Sequence, residues 1–156
     1  MFFHDRSLKS IFRKVEHIGI AVQNLEEADQ LYQRMLGVRR YKIEEVTSEG
    51  VRTAFYLVGE TKIELLEPTH ADSPIAGFLS KRGPGMHHIA FDVEDILEAM
   101  QRLRDAGFVL THENPMRGAD HKLVCFIHPK STGGTLIELC QEIAKENSDM
   151  LSSATS

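Results

Sequence analysis

The sequence has little that would tie it to nucleic acid, to a membrane or to an oxidising compartment. Its 18 Lys and Arg stand against 23 Asp and Glu, giving a formal net charge of −5 and a pI near 5.9. Phosphate binding needs a basic face, and with no basic stripe present no nucleic-acid partner is expected. No apolar run approaches the roughly 20 residues of a membrane span. Only two cysteines occur, Cys125 and Cys140. Both lie in apolar, strand-like runs where a free thiol acts as a small hydrophobe, so a reducing cytoplasm is the expected setting.

Residues 1–13 carry Arg6, Lys9 and Arg13 but no apolar signal core, and for a transit peptide they are short and include Asp5. They are expected to form a lead-in, and the polar, aperiodic residues 143–156 a tail. Between them lies enough chain for one ordinary globular domain, 14–142, without staples.

What the chain does have is a phrase said twice. Val15-Glu16-His17-Ile18-Gly19-Ile20-Ala21-Val22 returns as Met86-His87-His88-Ile89-Ala90-Phe91-Asp92-Val93. Each copy is followed by an amphipathic stretch and, later, by one carboxylate in an apolar strand: Glu64 in Lys62-Ile63-Glu64-Leu65-Leu66, Glu138 in Leu136-Ile137-Glu138-Leu139-Cys140. The separations nearly match, 64 − 17 = 47 and 138 − 88 = 50.

The elements repeat with the phrase. Residues 15–22 read as a strand, and a helix follows from Asn24 to Gly37, with Leu25, Ala28, Leu31, Tyr32 and Met35 at helical spacing. Strands are expected at 39–46, 51–58 and 61–67, the last two as a hairpin across Gly59-Glu60. A short helix starts at Asp72-Ser73-Pro74, and 81–85 is a linker. The second half is expected to give a strand at 86–93, a helix at 95–106, and strands at 108–112, 122–128 and 135–141. The fold class is therefore α+β, two tandem βαβββ modules (14–80 and 86–142) forming a cupped mixed sheet.

Alternation across a strand puts His17 on one face with Gly19 and Ala21, and His88 with Ala90 and Asp92, so small neighbours are expected to leave room above the sheet. Alone, a strand His or Glu is usually a satisfied or exposed residue. Four such positions in register across two modules favour an open metal site of imidazoles and carboxylates. His87 is expected on the opposite face, as packing or as a support to its neighbour. His128-Pro129-Lys130-Ser131-Thr132-Gly133-Gly134 suits a polar substrate group as well as a turn. His4, His70, His112 and His121 are expected to be solvated.

The doubled module resembles the vicinal oxygen chelate superfamily of glyoxalase I, extradiol dioxygenases and methylmalonyl-CoA epimerases. The residues from His17 to Val22, Glu64-Leu65-Leu66-Glu67-Pro68, Asp72 to Leu79, Gly85 to Ala90 and especially 128–139 are similar to the epimerases. The resemblance covers about residues 14–142. It implies His17, Glu64, His88 and Glu138 as ligands of one divalent ion (Co²⁺, Zn²⁺, Ni²⁺ or Mn²⁺), an acyl-CoA substrate and a homodimer.

It also implies inversion at C2 of methylmalonyl-CoA by proton abstraction, with a metal-held enolate. Several bacterial epimerases carry a glutamate base three residues after the glycine matching Gly50, where this chain has Thr53, and glutamine where it has Glu64. Glu64 and Glu138 are therefore the expected acid/base pair. Lys130 and Ser131, with Arg82, are the expected CoA contacts. Two alternatives stay open: a glyoxalase-I-like lactoylglutathione lyase acting on a thiol hemithioacetal, and a non-catalytic ligand-binding protein of the bleomycin-resistance type.

Overall fold

The computed structural model describes residues 10–144. The expected lead-in thus lies mostly outside the described residues, as do His4 and all of the tail beyond residue 144. The first strand, β1 (Phe12–Ala21), starts earlier than expected. It is followed by α1 (Leu25–Leu36), β2 (Lys42–Val46), β3 (Val51–Val58), β4 (Thr61–Pro68) and α2 (Pro74–Arg82). The second half supplies β5 (Gly85–Val93), α3 (Ile96–Asp105), β6 (Met116–Arg117), β7 (Lys122–Ile127) and β8 (Ile137–Glu142).

One mixed sheet runs in the order β2-β3-β4-β1-β5-β8-β7-β6. Its centre is the antiparallel β1–β5 pair, about which the halves are related by an approximate two-fold at Ile18 opposite Ile89. Each half then adds a parallel strand, β4 beside β1 and β8 beside β5. Glu64 is thereby set opposite Gly19, two residues past His17, and Glu138 opposite Ala90, two residues past His88. Side chains two apart share a face, so both His–Glu pairs rise from the same side of the sheet.

Helices α1 and α3 pack on the other side and are capped alike. Asn24 and Asp95, each seven residues after its histidine, accept from the backbone N–H of Glu27 (3.0 Å) and Glu98 (3.1 Å). The first N–H of each helix donates to a side chain three residues past the strand carboxylate: Leu25 to Glu67 Oε2 at 2.6 Å, Ile96 to Gln141 Oε1 at 2.8 Å. Each helix is thus tied to the strand that carries its module's acid. Ile96, Met100 and Leu103 pack on Cys125, Ile127 and Leu139, while Leu25, Ala28, Tyr32 and Leu36 pack on Tyr56 and Leu65. Leu31 and Met35, part of the expected apolar face of α1, are exposed instead.

The expected strand at 108–112 is reduced to a single bridge, Leu110 to Ile127. Thr111 N–H still donates to the Phe126 carbonyl at 2.9 Å, but the next carbonyls, those of His112 and Glu113, accept from the Arg104 guanidinium on α3 at 3.1 and 2.7 Å, and the ladder ends there. The edge is taken by the two-residue β6, which pairs with β7. From there the 118–121 loop crosses the open side of the cup. Asp120 accepts from Lys62 Nζ (2.8 Å), Lys42 Nζ (3.2 Å) and the Tyr41 hydroxyl (3.0 Å), and its N–H donates to Glu44 Oε2 at 2.9 Å. A residue of the second half so clasps the first.

Candidate active site

Within the cup, His17, His88 and Glu138 come together and Glu64 approaches His17. His17 Nε2 lies 3.0 Å from His88 Nε2, 3.0 Å from Glu138 Oε2 and 3.3 Å from Glu64 Oε2, and His88 Nε2 lies 2.9 Å from Glu138 Oε2. All four side chains are buried, each about 5% exposed. The expectation that small neighbours leave room for a guest needs correcting at Gly19. The space over it is filled by the His88 imidazole, which a Cβ at that position would strike.

Each imidazole is held at its other nitrogen by the residue just before it. Glu16 Oε1 lies 3.1 Å from His17 Nδ1, and His87 Nδ1 lies 2.9 Å from His88 Nδ1. Strict alternation forbids this, which is why His87 was expected on the opposite face. The β1–β5 register shifts between Val15 and His17, leaving Glu16 extra on β1, and between Gly19 and Ile20, leaving His87 extra on β5. Such bulges bring adjacent side chains toward one another. His87 therefore lines the cavity, edge-on to Phe78 and to His88. Glu16 went unnoticed in the sequence, its only signal being its place before His17; it also receives Lys62 Nζ at 3.4 Å.

Electrostatics follow from crowding these groups out of water. Burial opposes charge on His17, yet Glu64 and Glu138 outweigh it and hold the imidazole well above its ordinary pKa. Burial likewise works against the Glu138 carboxylate, but His17 and His88 keep it well below the usual range. Glu64 is pushed up to about 8 by burial, against the pull of His17 and with the push of Glu138. His87 is brought down to about 4, by burial first and then by His88.

The cluster draws positive charge to its centre. The donor atoms of His17, His88 and Glu138, 2.9–3.0 Å apart, have the spacing of neighbouring donors around an ion bonded at roughly 2.1 Å, and Glu64 Oε2 approaches the same His17 nitrogen at 3.3 Å. His17, His88 and Glu138 also satisfy the spacing of a three-donor group. Glu16, His17 and Cys140 do too, but there Glu16 is taken up by Lys62 and Cys140 Sγ lies against the Phe91 carbonyl.

The four residues form one wall of a cavity of about 380 Å³. Val51, Leu66, Ile75, Phe126 and Leu136 give it apolar sides, and Thr53, Lys122 and Glu49 add polar atoms. Glu49, which the sequence reading passed over, hangs from the turn before β3 and is pushed up to about 7, by burial first and then by the charge of Glu138. His112 is exposed, as expected, but lies at the cavity rim, while His70 and His121 are exposed. A groove of about 420 Å³ shares Pro74, His87 and Leu136 with the cavity and is flanked by Lys81 and Arg82. Pro129 and Gly134 line this groove, whereas Lys130 is exposed beside it and the Ser131 hydroxyl accepts from Val109 N–H at 3.0 Å.

Comparison with known proteins adds kinship to this geometry. Residues 16–126 match the family model described as the Glyoxalase/Bleomycin resistance protein/Dioxygenase superfamily. The ethylmalonyl-CoA/methylmalonyl-CoA epimerase of Cereibacter sphaeroides is 45% identical over 130 residues, which is 82% of this chain and 97% of that one. The crystal structure of methylmalonyl-CoA epimerase from Mycobacterium tuberculosis superposes with a TM-score of 0.84 at 36% identity, covering 90% of this chain and 97% of that one. A methylmalonyl-CoA epimerase in complex with methylmalonyl-CoA and NH4+ superposes with a TM-score of 0.81 at 34% identity, covering 88% and 99%.

Proposed function

The chain belongs to the glyoxalase/bleomycin resistance protein/dioxygenase superfamily, and from that premise we propose that it is a metal-dependent epimerase acting at C2 of methylmalonyl-CoA. The observation that carries this reading is the cluster of His17, His88 and Glu138, with Glu64 3.3 Å from His17, in a largely apolar cavity. Epimerases similar over nearly their whole length, one of them solved with methylmalonyl-CoA, support it.

His17, Glu64, His88 and Glu138 are the proposed metal ligands, and the mixed nitrogen and oxygen set suits Co²⁺, Zn²⁺, Ni²⁺ or Mn²⁺. A divalent ion there supplies Lewis-acid stabilisation of the charge that grows on the thioester oxygen as C2 loses its proton. Glu16 and His87 fix the imidazole orientations from behind.

Inversion needs a proton removed from one face and returned to the other. Glu64 on β4 and Glu138 on β8 flank the central β1–β5 pair on opposite sides, and they are the proposed acid and base, exchanging roles with the direction of reaction. Val51, Leu66, Ile75, Phe126 and Leu136 keep bulk water from the exposed carbanion face. The groove between Lys81, Arg82 and Pro129 is the proposed path of the CoA arm, with Lys130 and Ser131, which follow Pro129 in the chain, as proposed further contacts. A homodimer fits the exposed Leu31, Met35 and Val38 along and just past α1. The free, buried Cys125 and Cys140 fit a cytoplasmic setting.

The test is deuterium exchange at C2 of methylmalonyl-CoA, with metal analysis, before and after chelation. Exchange lost on chelation and restored by cobalt or zinc is expected. Turnover of a hemithioacetal without C2 exchange would replace this reading with the lyase.

A further inference from the structure

The two halves support their histidines from behind with different chemistry, and only one of the two supports has a donor left over. Glu16 Oε1 lies 3.1 Å from His17 Nδ1, and Glu16 Oε2 receives Lys62 Nζ at 3.4 Å. An ionised carboxylate only accepts, so the relay of the first half ends there. In the second half the same place, one residue before the ligand, is taken by His87, whose Nδ1 lies 2.9 Å from His88 Nδ1.

Two imidazole nitrogens hydrogen-bonded in this way share one proton, and the far side of His88 decides which ring carries it. His88 Nε2 lies 3.0 Å from His17 Nε2 and 2.9 Å from Glu138 Oε2, among the proposed ligand atoms. A lone pair directed at a metal ion from that nitrogen leaves the His88 proton on Nδ1. His88 Nδ1–H then donates to His87 Nδ1, which accepts only when it carries no proton itself. The His87 ring is therefore neutral, with its proton on Nε2. That nitrogen has no hydrogen-bond partner, and it is open to solvent, because among the described residues the only buried side-chain polar atom without a partner is Thr53 Oγ1.

His87 is half-buried, edge-on to Phe78 with ring centres 5.0 Å apart. With Pro74 and Leu136 it stands where the cavity of the His–Glu cluster meets the groove flanked by Lys81 and Arg82. On the epimerase reading, on which this inference rests, C2 lies in the cavity and the CoA arm in the groove, so the thioester spans that junction. We propose that His87 is a further catalytic residue, its Nε2–H donating to the thioester carbonyl oxygen and stabilising the negative charge that builds there as C2 is deprotonated. The oxygen has two lone pairs, so this hydrogen bond adds to Lewis-acid stabilisation without displacing it. No proton leaves His87; the C2 proton still passes to Glu64 or Glu138.

The experiment uses zinc-loaded wild type, H87N and H87F. In H87N the side-chain oxygen can replace Nδ1 as the acceptor for His88 while nothing replaces Nε2–H, whereas H87F removes both. Nitrogen NMR of the histidine rings, with and without propionyl-CoA, reads the tautomers; infrared spectra of bound, carbonyl-labelled propionyl-CoA read the hydrogen bond; zinc affinity and C2 exchange are measured on each protein. Wild type should show His87 as the Nε2–H tautomer, with a resonance that moves on adding propionyl-CoA, and a lower carbonyl stretch than H87N. H87N should keep its zinc affinity and lose about a hundredfold in C2 exchange, whereas H87F should lose zinc affinity as well.

An Nδ1–H tautomer at His87, an identical carbonyl stretch in wild type and H87N, or H87N exchange within about threefold of wild type overturns the proposal. If H87N fails to fold or to hold zinc, wild type decides: an Nε2 resonance that propionyl-CoA leaves unmoved overturns it, and one that shifts supports it. C2 exchange by wild type is scored separately. Exchange with an unmoved Nε2 resonance sinks His87 alone, and a shifted resonance without exchange sinks the epimerase reading while His87 stands as a thioester contact.

Discussion

Gly19→Ala should weaken metal binding without replacing any proposed ligand. Gly19 sits in mid-β1 opposite His88, with no unusual backbone angle to strain. An ideal Cβ there would lie 2.8 Å from His88 Nε2 and closer still to the ring's Cε1 and Nδ1. Ordinary heavy-atom contact needs about 3.5 Å, so the ring, whose Cε1 would lie at 2.1 Å, must retreat by about 1.4 Å at that edge and by about 1 Å on average. That takes Nε2 from 2.9 Å to nearly 4 Å from Glu138 Oε2, outside the few tenths of an ångström that a ligand set tolerates. Metal affinity should fall by at least ten- to a hundredfold, and C2 exchange by about a hundredfold.

The overpacking itself should cost about 1–3 kcal/mol in chemical denaturation. The diagnostic is the double variant. In a His88→Ala background the alanine meets no ring, so Gly19→Ala should add almost nothing there, a clear failure of additivity. Cobalt titration and exchange assays on the four proteins test this. Full metal binding by Gly19→Ala, or equal losses in both backgrounds, would refute the close-approach argument.

Glu64→Gln should lower C2 exchange at least a hundredfold, whereas Thr53→Val should cost less than tenfold; full exchange by the first with none by the second would show that the acid/base pair is misassigned. Asp120→Asn should weaken the clasp between the halves. Lys62 and its other hydrogen bonds outweigh burial and hold Asp120 down to about 2, so its contribution is present above the ordinary carboxylate range near 3.8 and is lost as pH falls toward 2. After screening it should amount to about 1–2 kcal/mol, so urea melts of wild type and variant should differ by that much at pH 7 and converge near pH 2. Glu49→Gln removes a carboxylate pushed up to about 7, a group that disfavours the folded state increasingly as pH rises past 4.5; metal-stripped variant should therefore gain stability over wild type at pH 8 and not at pH 4.

The duplication made most of the site legible. Its two copies placed a histidine and an acid at matched positions, and cross-strand register carried out what the spacing implied: Glu64 opposite Gly19, Glu138 opposite Ala90. Helix starts were equally plain, because Asn24, Ser73 and Asp95 do their capping within three residues. Reading failed where the local rule was broken by a partner far along the chain. Residues 108–112 have strand composition, but Arg104 takes the carbonyls at their end. Leu31 and Met35 have helical spacing, yet the sheet beneath α1 reaches only as far as Tyr32 and Leu36.

The sequence by itself determined the fold class and pointed to His17, Glu64, His88 and Glu138 as candidates, because those depend on periodicity and repetition, which are properties of order along the chain. Tertiary structure alone decided that Glu16 and His87 stand behind the imidazoles, that the His88 ring occupies the hollow over Gly19, that Asp120 clasps the two halves and that the Thr53 hydroxyl is buried at the cavity without a partner. Bulges, close approaches and missing partners are relations between strands distant in sequence, and they exist only once those strands are side by side.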